Sequence, residues 1–129
     1  MSGSCLLDTN IVIALFAGER SVLDQLSKQD EVFIPSIVIG ELYYGARKSN
    51  HSKQNTERIE RFVAENVILA CDAVTASNYG EIKERLSQKG RPIPENDIWI
   101  AAMSKQYGMK LASRDEHFKE VEILQVEVW

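Results

Sequence analysis

Four short apolar runs, at residues 5–7, 32–34, 67–70 and 109–112, alternate along the chain with stretches of helical periodicity. Strands separated by helices do not pair as tight hairpins, so the alternation predicts an α/β fold: a mainly parallel sheet with helices on both faces. The helical pattern occupies residues 11–17, 21–28, 36–48, 55–66, 72–88 and 97–107. Thr9 or Asn10, Ser36 and Asp72 stand where side-chain oxygens can accept from the free amides of a first turn. Gly18, Gly90 and Gly108 stand where helices stop. Residues 91–95, with two prolines, read as a loop, and residues 121–128 can supply a last, edge-like strand. No repeat or linker interrupts the pattern, so one domain over residues 1–129 is expected, large enough to bury a core.

In a parallel sheet the carboxyl ends of the strands open on a shared crevice, where ligands bind. Residues 4–10 read Ser-Cys-Leu-Leu-Asp-Thr-Asn, which aims Asp8 at that crevice from the end of the first strand. Most other acids have an oppositely charged partner one helical turn away, such as Glu57 with Arg61 and Glu81 with Arg85. Glu41 and Asp97 do not. Glu41 has Ile37, Val38, Tyr44 and Gly45 as its helical neighbours, and Asp97 has Ile93, Pro94, Ile100 and Ala101. A carboxylate in apolar surroundings must be neutralised, shift its pKa or meet a cation. For Glu41 the plain alternative is an ion pair across the core, and for Asp97 it is an acid in a helix first turn.

Asp115 follows the fourth strand and should open on the same edge as Asp8. Four acids converging on one crevice repel one another unless a divalent ion sits between them. Hard oxygen donors, with few histidines and no paired cysteines, favour Mg²⁺ or Mn²⁺ over zinc. Such ions activate water and stabilise charge on phosphoryl oxygens, which points to metal-dependent phosphoryl chemistry. Two other metal-using designs fail on the residues. A haloacid-dehalogenase-type phosphatase needs Asp-x-Asp after the first strand, where position 10 is Asn. A phosphoacceptor receiver domain needs an acidic pair there and an acceptor Asp after the third strand. Only Asp8 fills the first place, and Asp72 reads better as a helix cap.

The net charge of −4 argues against a purely electrostatic nucleic-acid footprint, although a bound cation would reverse the local sign. Cys5 and Cys71 form no CxxC pair and read as reduced packing residues. No apolar run reaches the length of a membrane span and no leader is apparent, so a cytoplasmic protein without a membrane partner is expected.

With Leu6-Leu7-Asp8-Thr9-Asn10, Gly40-Glu41-Leu42-Tyr43-Tyr44-Gly45, Pro94-Glu95-Asn96-Asp97-Ile98-Trp99 and Ser113-Arg114-Asp115-Glu116-His117-Phe118 in order, the chain resembles a PIN domain. More narrowly, it resembles the VapC toxins of bacterial type II toxin–antitoxin pairs. The resemblance implies a three-layer α/β/α sandwich, a Mg²⁺- or Mn²⁺-dependent endoribonuclease and a homodimer. It also implies a VapB-type antitoxin that covers the active site. Asp8, Glu41, Asp97 and Asp115 match the family's acidic quartet. Asp8, Asp97 and Asp115 would hold the metal, and Glu41 would position or deprotonate the attacking water. Glu116 stands beside Asp115 as an alternative ligand.

Thr9 matches a hydroxyl position that could bond a carboxylate or the scissile phosphate, and Asn10 could cap the helix or touch substrate. Lys89, Arg91 and Arg114 could contact RNA phosphates. His51 and His117 read as structural. Tyr43, Tyr44, Ile11, Ile13, Leu15 and Phe16 could line a groove for an amphipathic partner helix or serve as core. A PIN-like module that binds protein or RNA without catalysis is the alternative function. Four clustered acids, which such a module does not need, argue against it.

Overall fold

The computed structural model describes residues 3–129. Along the chain run β1 (Ser4–Leu7), α1 (Thr9–Phe16), α2 (Arg20–Ser27), β2 (Glu31–Pro35), α3 (Ser36–Lys48) and α4 (Ser52–Glu65). They are followed by β3 (Val67–Leu69), α5 (Ala73–Lys89), α6 (Glu95–Tyr107), β4 (Lys110–Ala112), a 3-10 turn at Glu116–Glu120 and β5 (Val126–Glu127). The strands form one sheet in the order β3-β2-β1-β4-β5, every neighbouring pair parallel. Cys5, Leu6 and Leu7 of the central strand are all buried, as a strand covered on both faces requires. The architecture is the expected α/β/α sandwich.

The strand order reverses direction at β1: β2 and β3 lie to one side, β4 and β5 to the other. In an open α/β sheet the ligand crevice lies at such a switch point, here beyond the carboxyl ends of β1 and β4. Leu7 pairs with Ala112, so Asp8 and Ser113 leave the sheet side by side.

Several boundaries differ from the sequence expectation for local reasons. Asp8, rather than Thr9 or Asn10, is the N-cap of α1, its carboxylate accepting from the Thr9 amide at 2.8 Å. Pro35 is the last residue of β2 and the cap position of α3, where a missing N–H costs nothing, and Ser36 makes no side-chain cap bond. Helix α6 starts at Glu95, so Asp97 sits inside the first turn instead of opening the helix. The last strand shrinks to Val126–Glu127. The Asp72 cap holds as expected, with Thr75 completing a reciprocal capping box. Gly90 and Gly108 end their helices at φ 67° and 63°, a region costly for any residue with a Cβ. Cys5 is buried but Cys71 is exposed, its sulfur 3.9 Å from that of Met103.

Candidate active site

Helix α6 is buried around most of its girth: Ile98, Ile100, Ala101, Ala102 and Met103 all lie in the core. Its first turn therefore carries Asp97 into the interior, and that residue is 8% exposed. Asp8 reaches the same crevice from β1 and is 4% exposed. Asp115 arrives from the turn after β4, and Glu41 from the second turn of α3. Glu41, Asp97 and Asp115 line one open cleft with Glu95, Asn96 and His117. Among the described residues no lysine or arginine lines it.

A chain of hydrogen bonds fixes these carboxylates. The Ser113 hydroxyl, wholly buried, donates to Asp8 Oδ2 at 2.6 Å and accepts from the Asp115 amide at 2.9 Å. On the other side the Thr9 hydroxyl donates to Glu41 Oε1 at 2.6 Å. The Asn10 side chain accepts from the Arg114 amide at 3.2 Å, tying the segment after β1 to the segment after β4. Asn10 is thus a strap between segments rather than a cap. The His117 ring Nδ1 lies 3.0 Å from Asp97 Oδ2 and 2.8 Å from Asp115 Oδ1.

The electrostatics follow from burial. Desolvation pushes the Asp8 carboxyl above its usual range against the opposing bonds from Ser113 and Thr9, and the charges of Glu41 and Asp115 push it further. Desolvation raises Asp97 from 3.8 to about 6, opposed by its bond to His117 and reinforced by Asp115 and Asp8. The His117 imidazole is pulled upward, chiefly by its bond to Asp97.

These shifts predict a pH dependence. A carboxyl whose folded pKa lies above its unfolded value adds stability below about pH 4, and that stability is lost as pH rises through about 6. His117 works in the same direction, because its raised pKa favours the folded state only while it is protonated. Between pH 4 and 7 in EDTA, wild type should lose on the order of 2 kcal/mol relative to Asp97→Asn. Chemical denaturation of the two proteins at each pH measures the difference. A constant difference would contradict the prediction.

Ser113→Ala makes a second one. It strips a buried carboxylate and a backbone amide of their partner at once, a loss of about 1–3 kcal/mol. Urea denaturation at pH 7 would read it, and an unchanged midpoint would mean that Ser113 holds neither acid.

The PIN-domain family model matches residues 5–124, nearly the whole chain. The chain belongs to the PIN-domain family. Among curated PIN-domain relatives, "Ribonuclease VapC2" of Haemophilus influenzae is 39% identical over 129 residues, covering 96% of each chain. The "tRNA(fMet)-specific endonuclease VapC" of Shigella flexneri is 33% identical over 127 residues, again covering 96% of each. Among solved structures, VapBC2 from Rickettsia felis bound to a DNA fragment from its promoter superposes with a TM-score of 0.90 at 31% identity, covering 98% of both chains.

The PIN fold brings the four sequence-predicted acids to one end of the sheet but treats the candidate cations differently. Arg114 points away from the cleft: its guanidinium pairs with both Glu19 carboxylate oxygens, at 2.9 and 3.2 Å, and donates to the Trp129 carbonyl. Lys89 is taken up by Glu120 and Glu122. Arg91 is exposed and does not line the cleft. Glu116 pairs with Lys119, which leaves Asp115 as the acid turned to the cleft.

Three residues of the site do not stand out in the sequence. His117, read as structural, stands among the acids. Ser113 and Asn96 were not singled out. The spacing Ser-x-Asp directly after β4 was the available signal for Ser113. For His117 the signal was its place two residues beyond Asp115, which the tight 3-10 turn folds back toward the cleft.

Beside Glu41 an apolar groove opens between α1, α3 and α4, lined by Ile13, Phe16, Leu42 and Ile59, with Arg58 at its wall. Ile13 is 55% exposed, and Tyr44, at the mouth between groove and cleft, 65% exposed. Ile11, by contrast, is fully buried and belongs to the core.

Proposed function

We propose that this PIN domain is a divalent-metal-dependent endoribonuclease, the toxin of a type II toxin–antitoxin pair. The observation that carries the reading is a cleft holding Glu41, Asp97 and Asp115, with Asp8 buried behind them and, among the described residues, no lysine or arginine in its walls. Left alone, such a group destabilises the fold and repels a phosphodiester. With a divalent cation it does neither. The donor set fits that ion: one ligand atom each from Asp97, Asp115 and His117 falls within 4.8 Å of the others, and Asp8 is bonded to the same segment through Ser113.

In this reading Asp8, Asp97 and Asp115 hold Mg²⁺ or Mn²⁺. The bound ion would polarise a phosphoryl oxygen and bring the pKa of water toward neutrality. Glu41 is anchored through one carboxylate oxygen by Thr9 and keeps the other free. It is placed to orient the attacking water and accept its proton. Ser113 and Thr9 hold the acids in place, so the carboxylates need not reorganise during the reaction. Asn96, which lines the same cleft, would donate to the substrate backbone. The water oxygen bonds to phosphorus as Glu41 takes its proton, the bond to the leaving sugar oxygen breaks, and that oxygen takes up a proton from solvent.

The names of the relatives support RNA as the substrate, and two are called tRNA(fMet)-specific. The groove beside Glu41 suits an amphipathic segment of a VapB-type antitoxin, seated so that its end reaches the cleft. A homodimer acting in the cytoplasm completes the reading. Among the described residues no helix is long and apolar enough to cross a membrane.

Incubating purified protein with total RNA, with Mg²⁺ or Mn²⁺ or with EDTA, and sequencing the new 5′ ends tests the proposal. Discrete metal-dependent ends in one RNA class are expected. A folded, metal-replete protein that cuts no RNA would favour a non-catalytic binding module.

A further inference from the structure

His117 departs from an all-oxygen site. Its Nδ1 is within 2.8 Å of Asp115 Oδ1 and 3.0 Å of Asp97 Oδ2. One ring nitrogen carries either a proton or a lone pair, and a single proton cannot point along both directions at full strength. Adjacent donors around an octahedral ion with bonds of about 2.1 Å stand about 3 Å apart. Both nitrogen–oxygen spacings match that edge. The tight turn at Glu116–Glu120 holds the geometry: the His117 amide donates to Asp115 Oδ1 at 2.9 Å, and Phe118 is buried beneath. The ring itself is 48% exposed, so neither core packing nor burial accounts for its placement between two carboxylates.

Resting on the divalent-metal reading above, we propose that His117 Nδ1 is itself a ligand, adding a nitrogen donor to the carboxylate oxygens of Asp8, Asp97 and Asp115 in a site that takes Mn²⁺ in preference to Mg²⁺. Mg²⁺ prefers oxygen donors and retains its waters, whereas imidazole nitrogen suits first-row transition ions.

The test is Mn²⁺ binding by the whole protein, followed by electron paramagnetic resonance, with electron spin echo modulation reporting nitrogen bound to the ion. Mg²⁺ affinity is read by competition. The proteins are wild type, His117→Ala, His117→Gln and Asp97→Asn. Wild type should show an imidazole-strength ¹⁴N coupling. Both His117 variants should lose it and bind Mn²⁺ about tenfold or more weakly, with a much smaller change for Mg²⁺. The Gln variant keeps a hydrogen-bonding side chain, so it separates ligation from simple support of the two acids. Mn²⁺ bound to wild type without that coupling, or with equal affinity in the His117 variants, would make His117 a hydrogen-bond partner only and overturn the inference while sparing the metal site. No Mn²⁺ binding by wild type, or unchanged binding by Asp97→Asn, would overturn the metal reading itself and this inference with it.

Discussion

Asp8→Asn is expected to lower RNA cleavage by on the order of 10³-fold, the loss of about 4 kcal/mol of transition-state stabilisation. The substitution is nearly isosteric and keeps an oxygen to accept from Ser113 or Thr9, while it removes a charge buried at 4% exposure. Because desolvation already disfavours that charge, and Glu41 and Asp115 repel it, the folded variant should be at least as stable as wild type without metal. The two effects have opposite signs. A general structural defect would lower activity and stability together, whereas a metal-holding carboxylate should lower activity and raise metal-free stability. Initial rates on the cleaved RNA and urea melts in EDTA measure both. Cleavage at the wild-type rate would remove Asp8 from the site.

Phe118→Ala should have the largest effect on stability, about 3–5 kcal/mol. Phe118 is fully buried, and it roots the short turn that presents Asp115 and His117. For a chain of this length that loss lowers Tm by roughly 10–20 °C and takes a large share of the usual 5–15 kcal/mol of a small domain. The same change should weaken Mn²⁺ binding measured well below the new Tm, since the turn loses the anchor that spaces its two donor groups. Phe118→Leu, which refills most of the space, should recover most of both. A Phe118→Ala protein with an unchanged Tm would mean that the turn holds itself without the core.

The strand–helix alternation was legible because buried parallel strands must be short and apolar, and Leu6-Leu7 and Leu111-Ala112 satisfy that on both faces. Glu41 and Asp97 were legible for the converse reason: each is a charge among apolar helical neighbours that nothing nearby in the chain can neutralise, whereas Asp8 was legible from its place at the end of the first strand. Partners set by tertiary contact were not legible. Arg114 reads as a free cation beside Asp115, yet the 3-10 turn and the chain's end turn its guanidinium to Glu19 and Trp129, 95 and 15 residues away in sequence. His117 reads as structural because its approach to Asp97 spans 20 residues and depends on the depth of α6, which only the packed helix sets. Boundaries slipped where a proline did two jobs, as at Pro35, which both ends a strand and precedes a helix.

An add-back experiment tests the metal centre directly. Wild type and Asp97→Asn are freed of metal and assayed side by side on total RNA as Mn²⁺ is titrated in. Neither protein should cleave in EDTA; wild type should give discrete products as Mn²⁺ rises, and Asp97→Asn none at the same concentrations. Cleavage by wild type in EDTA, or equal cleavage by Asp97→Asn, would contradict metal-dependent cleavage at this site.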